Sequence, residues 1–177
     1  MNLFIDKVTA QDAKDLYKFE WDNRDFFEET VPTRGDDYYN PEVFKTRHVN
    51  LLEEQAKGIS IFYLIKDEQG SILGRINLVD IDELNKVAHL GYRVGQIHVG
   101  QGIAKNALKL LLESVVERNI QILKAVTTTT NLASQQVLEN NGFEPRECDL
   151  EEFEMKGKKF RFVHYIWNNK VTAGENI

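Results

Sequence analysis

The chain of 177 residues has only one cysteine, no long apolar run and an N-terminus without the pattern of a signal peptide. The single cysteine, Cys148, excludes an intramolecular disulfide, and a reducing cytoplasm is the natural setting for such a chain. No apolar stretch approaches the roughly 20 residues that cross a bilayer. We therefore expect a cytoplasmic protein that has no membrane partner.

Basic residues are also in the minority. Lysine and arginine number 22 against 28 acidic residues, a net charge of −6, and no basic run interrupts the sequence. This balance argues against nucleic acid as a direct partner. The chain also lacks internal repeats, low-complexity segments and a recognisable linker. Its length suits one domain with a full core, which we expect to span residues 1–177.

Apolar periodicity and turn residues predict a mixed α+β architecture. The predicted helices cover about 9–22, 41–58, 103–117 and 131–141, and a polar loop covers 23–39. The predicted strands cover 59–66, 71–82, 87–94, 122–128, 147–155 and 160–167. The helical crossover between 87–94 and 122–128 makes these two strands parallel and places the helix on one face of the sheet. We therefore predict a mixed sheet flanked by about four helices.

The most informative stretch lies between Val94 and Ala104, where a predicted strand ends and a glycine-bearing loop opens a long apolar helix. The backbone N–H groups of a first helical turn have no partner within the helix. Gly100 and Gly102 lack a Cβ, so a bulky anion can approach those amides closely. The positive end of the helix dipole favours the anion further. The pattern predicts a phosphate-binding loop, although a helix start that merely contains glycine is the simpler alternative.

Two familiar phosphate motifs do not fit this loop. A Walker loop ends in Gly-Lys-Ser/Thr, whereas Gly102 is followed by Ile-Ala-Lys. A dinucleotide fingerprint requires a third glycine where Lys105 stands, and an acidic residue after the next strand, where threonines occupy 127–130. A nucleotide-dependent oxidoreductase is therefore a weak alternative.

A second pattern follows the strand at 122–128. Asn131 and Ser134 open a helix that ends at Gly142 and Phe143. Together the two patterns resemble the GNAT superfamily of acyl-CoA-dependent N-acyltransferases. In that family R/Q-x-x-G-x-G/A opens one helix, and N-x-x-S/A opens the next helix, which ends in Gly-Phe. The resemblance extends over most of the chain.

The match to the first signature has one exception. Val94, Gly100, Gly102 and Ala104 fall on the family's pattern, whereas Val99 stands where the family usually has glutamine or arginine. That residue normally assists the pyrophosphate. The departure implies that cofactor affinity is weaker or that other groups supply it. Lys105 and Lys109 lie one turn apart and could do so, although solvated surface lysines are the simpler interpretation.

The resemblance implies an acetyl-CoA-dependent N-acetyltransferase with no metal. Its fold would have a mostly antiparallel twisted sheet and a parallel pair splayed at the cofactor site. The implied acetyl-CoA-binding residues are Tyr92, Arg93, Val94, Val99, Gly100, Gln101, Gly102, Ile103, Ala104, Lys105, Asn131 and Ser134. By the same resemblance Asn131 contacts the pantetheine arm, and Ser134 lies near the thioester sulfur and hydrogen-bonds the departing thiolate. Both residues also suit a helix start for structural reasons alone.

The acceptor side is less defined. Asp80, Glu83, His89 or a water chain could remove the proton from the amine, and Gly91 could mark a β-bulge in its strand. Residues 20–37 carry a net charge of −5, and a second acidic run covers 147–154; these surfaces could attract a cationic acceptor. Phe19-Glu20 and residues 23–27 resemble the ribosomal-protein N-acetyltransferase branch, which implies an α-amine such as a protein N-terminus. The aromatic residues predicted to line the acceptor pocket are Trp21, Phe26, Phe27, Tyr38 and Tyr39.

Other functions remain open at this level. A polyamine, an amino acid or an antibiotic could be the acceptor, and a non-catalytic acyl-CoA-binding module is the rival from another class. Cys148 lies beyond the Gly-Phe end of the last helix, so we expect direct attack in a ternary complex rather than a covalent intermediate.

Overall fold

A computed structural model describes residues 2–30, 35, 37–155 and 157–169. The described chain contains five α-helices and nine strands. In chain order they are β1 (Phe4–Lys7), α1 (Ala13–Asp22), α2 (Arg24–Thr30), α3 (Pro41–Ala56), β2 (Ile61–Lys66), β3 (Ile72–Asp82), β4 (Val87–Val94), α4 (Ile103–Glu117), β5 (Ile122–Thr128), α5 (Leu132–Asn140), β6 (Glu144–Cys148), β7 (Phe153–Met155), β8 (Lys158–Phe160) and β9 (Phe162–Asn168). None of these helices combines the length and the apolar composition needed to span a membrane.

Seven strands form one sheet in the order β1-β2-β3-β4-β5-β9-β6, and β7 pairs with β8 in a separate hairpin. The β4–β5 pair is parallel, and every other pair within the described residues is antiparallel. This arrangement confirms the predicted α+β fold with a mostly antiparallel sheet. It has one helix more than the predicted four.

The parallel pair separates partway along its length. Val87 to Leu90 of β4 pair with Ile122 to Ala125 of β5, and no pairing continues beyond Leu90 and Ala125. This confirms the predicted splay. The predicted bulge at Gly91 is wrong, because Gly91 pairs in register with Asn77. The irregularity lies instead between Val79 and Asp82, where Asp80 adopts a positive φ of 50°.

The predicted loop over 23–39 is also partly wrong, because it contains α2. The backbone N–H of Phe27 donates to the carbonyl of Asn23 at 2.9 Å and continues the chain as a helix. Phe27 is 3 % exposed and packs into an apolar cluster with α1 and α3. Burial of this side chain stabilises α2. The many polar residues around Phe27 left no periodic apolar pattern from which this helix could be predicted. Residues 31–34 and 36 of the predicted loop lie outside the described residues.

The C-terminal strands are shorter and more numerous than predicted. The strand expected over 147–155 is divided into β6 and β7, and the one expected over 160–167 is divided into β8 and β9. Residue 156, which follows the first of these two predicted strands, lies outside the described residues. The short strand β1, which no pattern predicted, pairs with β2 at the sheet edge.

The sheet is buried on both faces. Tyr63 and Ile65 of β2 belong to the apolar core that contains α4 and α5. Leu64, which alternates with them and therefore points to the other face, packs with Leu16 of α1 and Phe44 of α3. The α4–α5 side and the α1–α2–α3 side are thus separate layers, and a gap in the sheet connects one layer to the other.

Candidate active site

A cleft of about 620 Å³ lies where β4 and β5 separate. Its wall includes β4, the loop before α4 and the start of α5, together with Phe26, Phe27, Asn77 and Phe162 from elsewhere in the chain. Neighbouring residues of a strand point to opposite faces, so Tyr92 faces α5, whereas Gly91 and Arg93 face α1 and α2. The cleft is therefore accessible from both sides of the sheet.

The loop before α4 has the properties of an anion site. Gly100 and Gly102 have φ values of +79° and +77°, a region that favours glycine, and Gly102 is the N-cap of α4. Among the described residues, none accepts a hydrogen bond from the backbone N–H groups of 100–105. A Cβ on Gly100 would contact nothing within 4 Å. Open amides at the positive end of a 15-residue helix have the geometry and the partial charge that suit an anion such as phosphate.

Side chains near this loop supply little additional charge. Val99, which occupies the position of the family's usual glutamine or arginine, is 50 % exposed on the cleft wall. Lys105 is exposed and lines the cleft, whereas Lys109 is not among its lining residues. The side-chain amide of Gln101 donates to the carbonyl of Ile97 at 2.9 Å, and Gln101 is absent from the wall. The remaining predicted acetyl-CoA-binding residues all line the cleft.

A pair of hydroxyl groups lies on the α5 side of the cleft. The Oη of Tyr92 is 2.9 Å from the Oγ of Ser134 and 3.1 Å from its backbone carbonyl. The side chain of Asn131 accepts a hydrogen bond from the N–H of Ser134 at 3.1 Å, which confirms its predicted capping role. Burial raises the pKa of Tyr92 to about 12, so its phenol is protonated at neutral pH. The sequence analysis named Tyr92 among the acetyl-CoA-binding residues but did not predict the contact of its hydroxyl with Ser134, although the alternation of side chains along β4 could have placed that hydroxyl opposite Arg93.

The side chain of Arg93 belongs to a buried ion-pair cluster. Its Nη1 lies 2.9 Å from Oε2 of Glu20, and the Nη1 of Arg75 lies 2.7 Å from Oε1 of the same carboxylate. Glu20 is fully buried, so it does not belong to a solvated acidic surface. Burial alone would lower the pKa of Arg75, but the Glu20 carboxylate and Tyr38 raise it above its ordinary value. The guanidinium of Arg93 also lies 4.6 Å from the ring centre of Phe27.

Of the five aromatic residues predicted to line the acceptor pocket, Phe26 and Phe27 do so. Trp21 and Tyr38 each contact Tyr39 instead, and all three are absent from the wall. Phe162 and Asn77, which the sequence analysis did not identify, complete this side of the cleft. They come from β9 and β3, and no local motif marks either of them.

The three side chains considered as a general base lie away from the cleft wall. Oδ2 of Asp80 is 3.6 Å from Nδ1 of His89, and both side chains are solvent-accessible. Glu83 lines a separate cavity of about 380 Å³. The ionisable side chains among the described residues of the cleft wall are Tyr92, Arg93, His98 and Lys105.

The chain matches a family model described as an acetyltransferase (GNAT) domain over residues 2–144. It therefore belongs to the GNAT acetyltransferase family. It is 28 % identical over 144 residues to a probable N-acetyltransferase of Bacillus subtilis, and the match covers 80 % of each chain.

Solved structures show the same fold. A ribosomal-protein-S5-alanine acetyltransferase from Vibrio fischeri aligns with a TM-score of 0.88 at 19 % identity, over 98 % of this chain and 97 % of that one. A ribosomal L7/L12 alpha-N-protein acetyltransferase in complex with coenzyme A aligns with a TM-score of 0.85 at 20 % identity, over 95 % and 94 % of the two chains. The predicted likeness to ribosomal-protein acetyltransferases is thus confirmed at the level of the fold.

Proposed function

We propose that this protein transfers an acetyl group from acetyl-CoA to the α-amine of a peptide or protein, by direct attack in a ternary complex. The observation that carries the proposal is the cleft through the sheet, which has open amides at residues 100–105 and the hydroxyls of Tyr92 and Ser134 farther along its wall. The amides would bind the pyrophosphate, and the edge of β4 would pair with the pantetheine arm as an added strand does. Residues 1–177 would act as one domain in the cytoplasm.

The leaving group needs little acid catalysis. A coenzyme A thiol resembles cysteine, with an ordinary pKa of about 8.5, so its thiolate leaves readily near neutral pH. Ser134 would donate a hydrogen bond to the sulfur as the C–S bond breaks, and Tyr92 would support the serine hydroxyl. Because Tyr92 retains its proton, it can donate to the serine throughout the reaction. The two hydroxyls together stabilise developing charge rather than generate a nucleophile.

The ordinary pKa values of amines favour an α-amine acceptor over a polyamine. An α-amine with an ordinary pKa near 8 is roughly ten per cent neutral at pH 7, whereas a lysine-like amine near 10.4 is neutral in about one molecule per few thousand. The α-amine therefore reacts with the least help from a base, and a water chain can remove its proton after attack.

Two measurements on the purified protein test this proposal. Calorimetry with coenzyme A is expected to show saturable binding, and a thiol-release assay with acetyl-CoA is expected to show turnover with peptides that have free N-termini. The amine panel includes N-acetylated versions of the same peptides as matched controls, together with polyamines, amino acids and aminoglycosides.

The outcomes separate the alternatives. Binding without turnover on any amine indicates an acyl-CoA-binding module. Faster thiol release with a polyamine, an amino acid or an aminoglycoside than with a peptide indicates an acetyltransferase whose acceptor is that amine. Binding of a dinucleotide with no binding of coenzyme A indicates an oxidoreductase and contradicts the whole proposal.

A further inference from the structure

The side chain of Asn77 on β3 lies on the cleft wall with an unused hydrogen-bonding group. Its Oδ1 is buried from solvent and has no hydrogen-bond partner among the described residues. Buried polar atoms are nearly always hydrogen-bonded, and each exception calls for an explanation. Since Asn77 itself lines a cleft large enough for a ligand, a ligand is the natural source of the missing donor.

The residue opposite Asn77 leaves room for that ligand. Asn77 pairs with Gly91 of β4, so the two residues face the same side of the sheet. A Cβ built on Gly91 would meet no atom within 4 Å, and Gly91 also lines the cleft. The backbone conformation of Gly91 is not among those that favour glycine. The strand conformation therefore does not require glycine at position 91, and the open space above it is a feature of the cleft.

The surroundings of Asn77 define the side from which a ligand reaches it. Arg75 and Arg93 form the next pair on the same face of these two strands, and both guanidinium groups contact Glu20 from α1. Phe27, stacked on Arg93, also lines the cleft. Asn77 and Gly91 thus lie on the α1–α2 face, opposite the face on which Tyr92 meets Ser134.

We propose that Asn77 is an acceptor-binding residue, whose side-chain amide turns about the Cβ–Cγ bond so that Oδ1 accepts a hydrogen bond from an N–H of the amine substrate above Gly91. This inference rests on the proposed acetyl transfer. A hydrogen bond made through N–H leaves the nitrogen lone pair available for attack on the thioester carbonyl. The new N–C bond forms as the C–S bond breaks, the thiolate leaves on the Ser134 side, and the amine releases one proton to water. Asn77 positions the nucleophile and takes no proton.

The first test replaces Asn77 by leucine, which retains the branched shape and removes the amide. We expect kcat/KM for the acceptor to fall about tenfold, the effect of one lost hydrogen bond in a water-poor site. The Kd for acetyl-CoA, measured by calorimetry, should stay within about twofold of the wild-type value. The thermal midpoint should not decrease, because no partner of Oδ1 among the described residues loses a bond. Val79→Ala, on the same strand and face but outside the cleft lining, is the control for disturbance of β3.

The second variant is Gly91→Ala, which retains the side-chain amide of Asn77 and fills the space above Gly91 with a methyl group. The protein itself has room for the methyl group, so we expect normal folding, an increased KM for the acceptor and an unchanged Kd for acetyl-CoA. This variant decides the question if Asn77→Leu does not fold.

Three results would overturn the inference. If the wild-type enzyme is active and both variants keep its kcat/KM for the acceptor, Asn77 does not bind the acceptor. The proposed acetyl transfer is not contradicted by that result. A lower thermal midpoint of Asn77→Leu with unchanged acceptor kinetics assigns the residue a structural role. A wild-type protein that binds acetyl-CoA but releases no thiol with any amine contradicts the proposed function itself, and the inference with it.

Discussion

The two sides of the cleft are built in different ways. The α4–α5 side consists largely of backbone groups and of residues from two short segments, 92–105 and 131–134. The α1–α2 side consists of side chains from α2, β3, β4 and β9, which are far apart in sequence. The first is a local structure that a glycine pattern can specify. The second exists only after the sheet and the N-terminal helices have packed together.

The two sides of the cleft are also stabilised by different interactions. Gly102 and the open amides depend on backbone conformation and on the helix dipole. The α1–α2 side is held by a buried carboxylate, Glu20, between two guanidinium groups, with Phe27 stacked on one of them. We therefore expect substitutions in the buried ion-pair cluster to affect stability, substitutions of cleft-lining residues on the α1–α2 side to affect acceptor use, and substitutions on the other side to affect acetyl-CoA binding or the departure of the thiolate.

Glu20→Gln should have the largest effect on stability. Removing the carboxylate charge leaves the guanidinium groups of Arg75 and Arg93 buried, and breaking a buried ion pair destabilises proteins by about 3–5 kcal/mol. Urea unfolding measures the loss. Asp22→Asn, which removes an exposed ion pair with Lys18 on the same helix, is the matched control and should lose less than about 1 kcal/mol. Equal losses in the two variants would contradict the assigned role of the buried cluster.

Gly102→Ala should have the largest effect on acetyl-CoA binding. Alanine at a positive φ destabilises the fold by roughly 1–2 kcal/mol, and the added methyl lies beside the amides that we propose bind phosphate. Calorimetry should show affinity for acetyl-CoA lowered by about tenfold or more, equivalent to at least ~1.4 kcal/mol. Gly70→Ala, with a φ of +82° in the turn between β2 and β3, carries a similar strain and should bind acetyl-CoA normally. A similar loss of affinity in both variants would mean that strain alone is responsible.

Ser134→Ala should reduce kcat by only about fivefold, since one hydrogen bond to an already stable thiolate contributes ~1 kcal/mol. The KM for the acceptor should not change, because Ser134 lies on the α5 side. Thiol-release kinetics with a peptide acceptor measure both constants. A loss of more than a thousandfold would indicate that the serine transfers a proton in the rate-limiting step.

The phenol of Tyr92 provides a smaller test through pH. Burial raises its pKa to about 12, against about 10 in an unfolded chain. Its contribution to stability is therefore fully present below pH 10 and is lost as the pH rises toward 12. Urea unfolding across this range should show a shallower alkaline loss for Tyr92→Phe than for the wild type. Burial also raises the pKa of Tyr39 and Tyr165 to about 12, so only the difference between the two proteins reports on Tyr92. Identical alkaline profiles would contradict the assigned environment of Tyr92.

Val99→Arg should produce the smallest change, a gain of a few-fold in affinity for acetyl-CoA. The substitution adds a cation at the half-exposed position where the family usually has glutamine or arginine. Ile97→Arg adds the same charge at an exposed residue off the cleft wall and should bind acetyl-CoA as the wild type does. Measuring both affinities at low and high salt separates local contact from general attraction. Equal gains in the two variants would exclude a specific contact at position 99.

The local patterns predicted the α4–α5 side well. Strands β4 and β5 have the predicted bounds, and Asn131 caps α5 as expected. These features depend on neighbours within a few residues, so the sequence contains the information in one place. The splay beyond Leu90 came from the family resemblance and is confirmed by the pairing of β4 with β5.

The other side escaped prediction for a physical reason. In the sequence, Glu20 is one of several acidic residues in a polar segment. Only the folded structure shows that its carboxylate is buried between the guanidinium groups of Arg75 and Arg93. Phe27 lies in a segment that reads as a loop until its burial stabilises α2. Asn77 has no distinctive neighbours in sequence. In each case the partner lies on a different element, and a single sequence without an alignment does not show which elements meet.

The most direct test of the account is a titration of isotopically labelled protein with coenzyme A, followed by amide resonances in NMR spectra. The account predicts that the largest shifts occur at the backbone N–H groups of Gly100, Gly102 and residues 103–105, and that the amide of Gly70 is unaffected. Saturable binding that leaves the amides of 100–105 unchanged would contradict the claim that this loop binds the cofactor's phosphates.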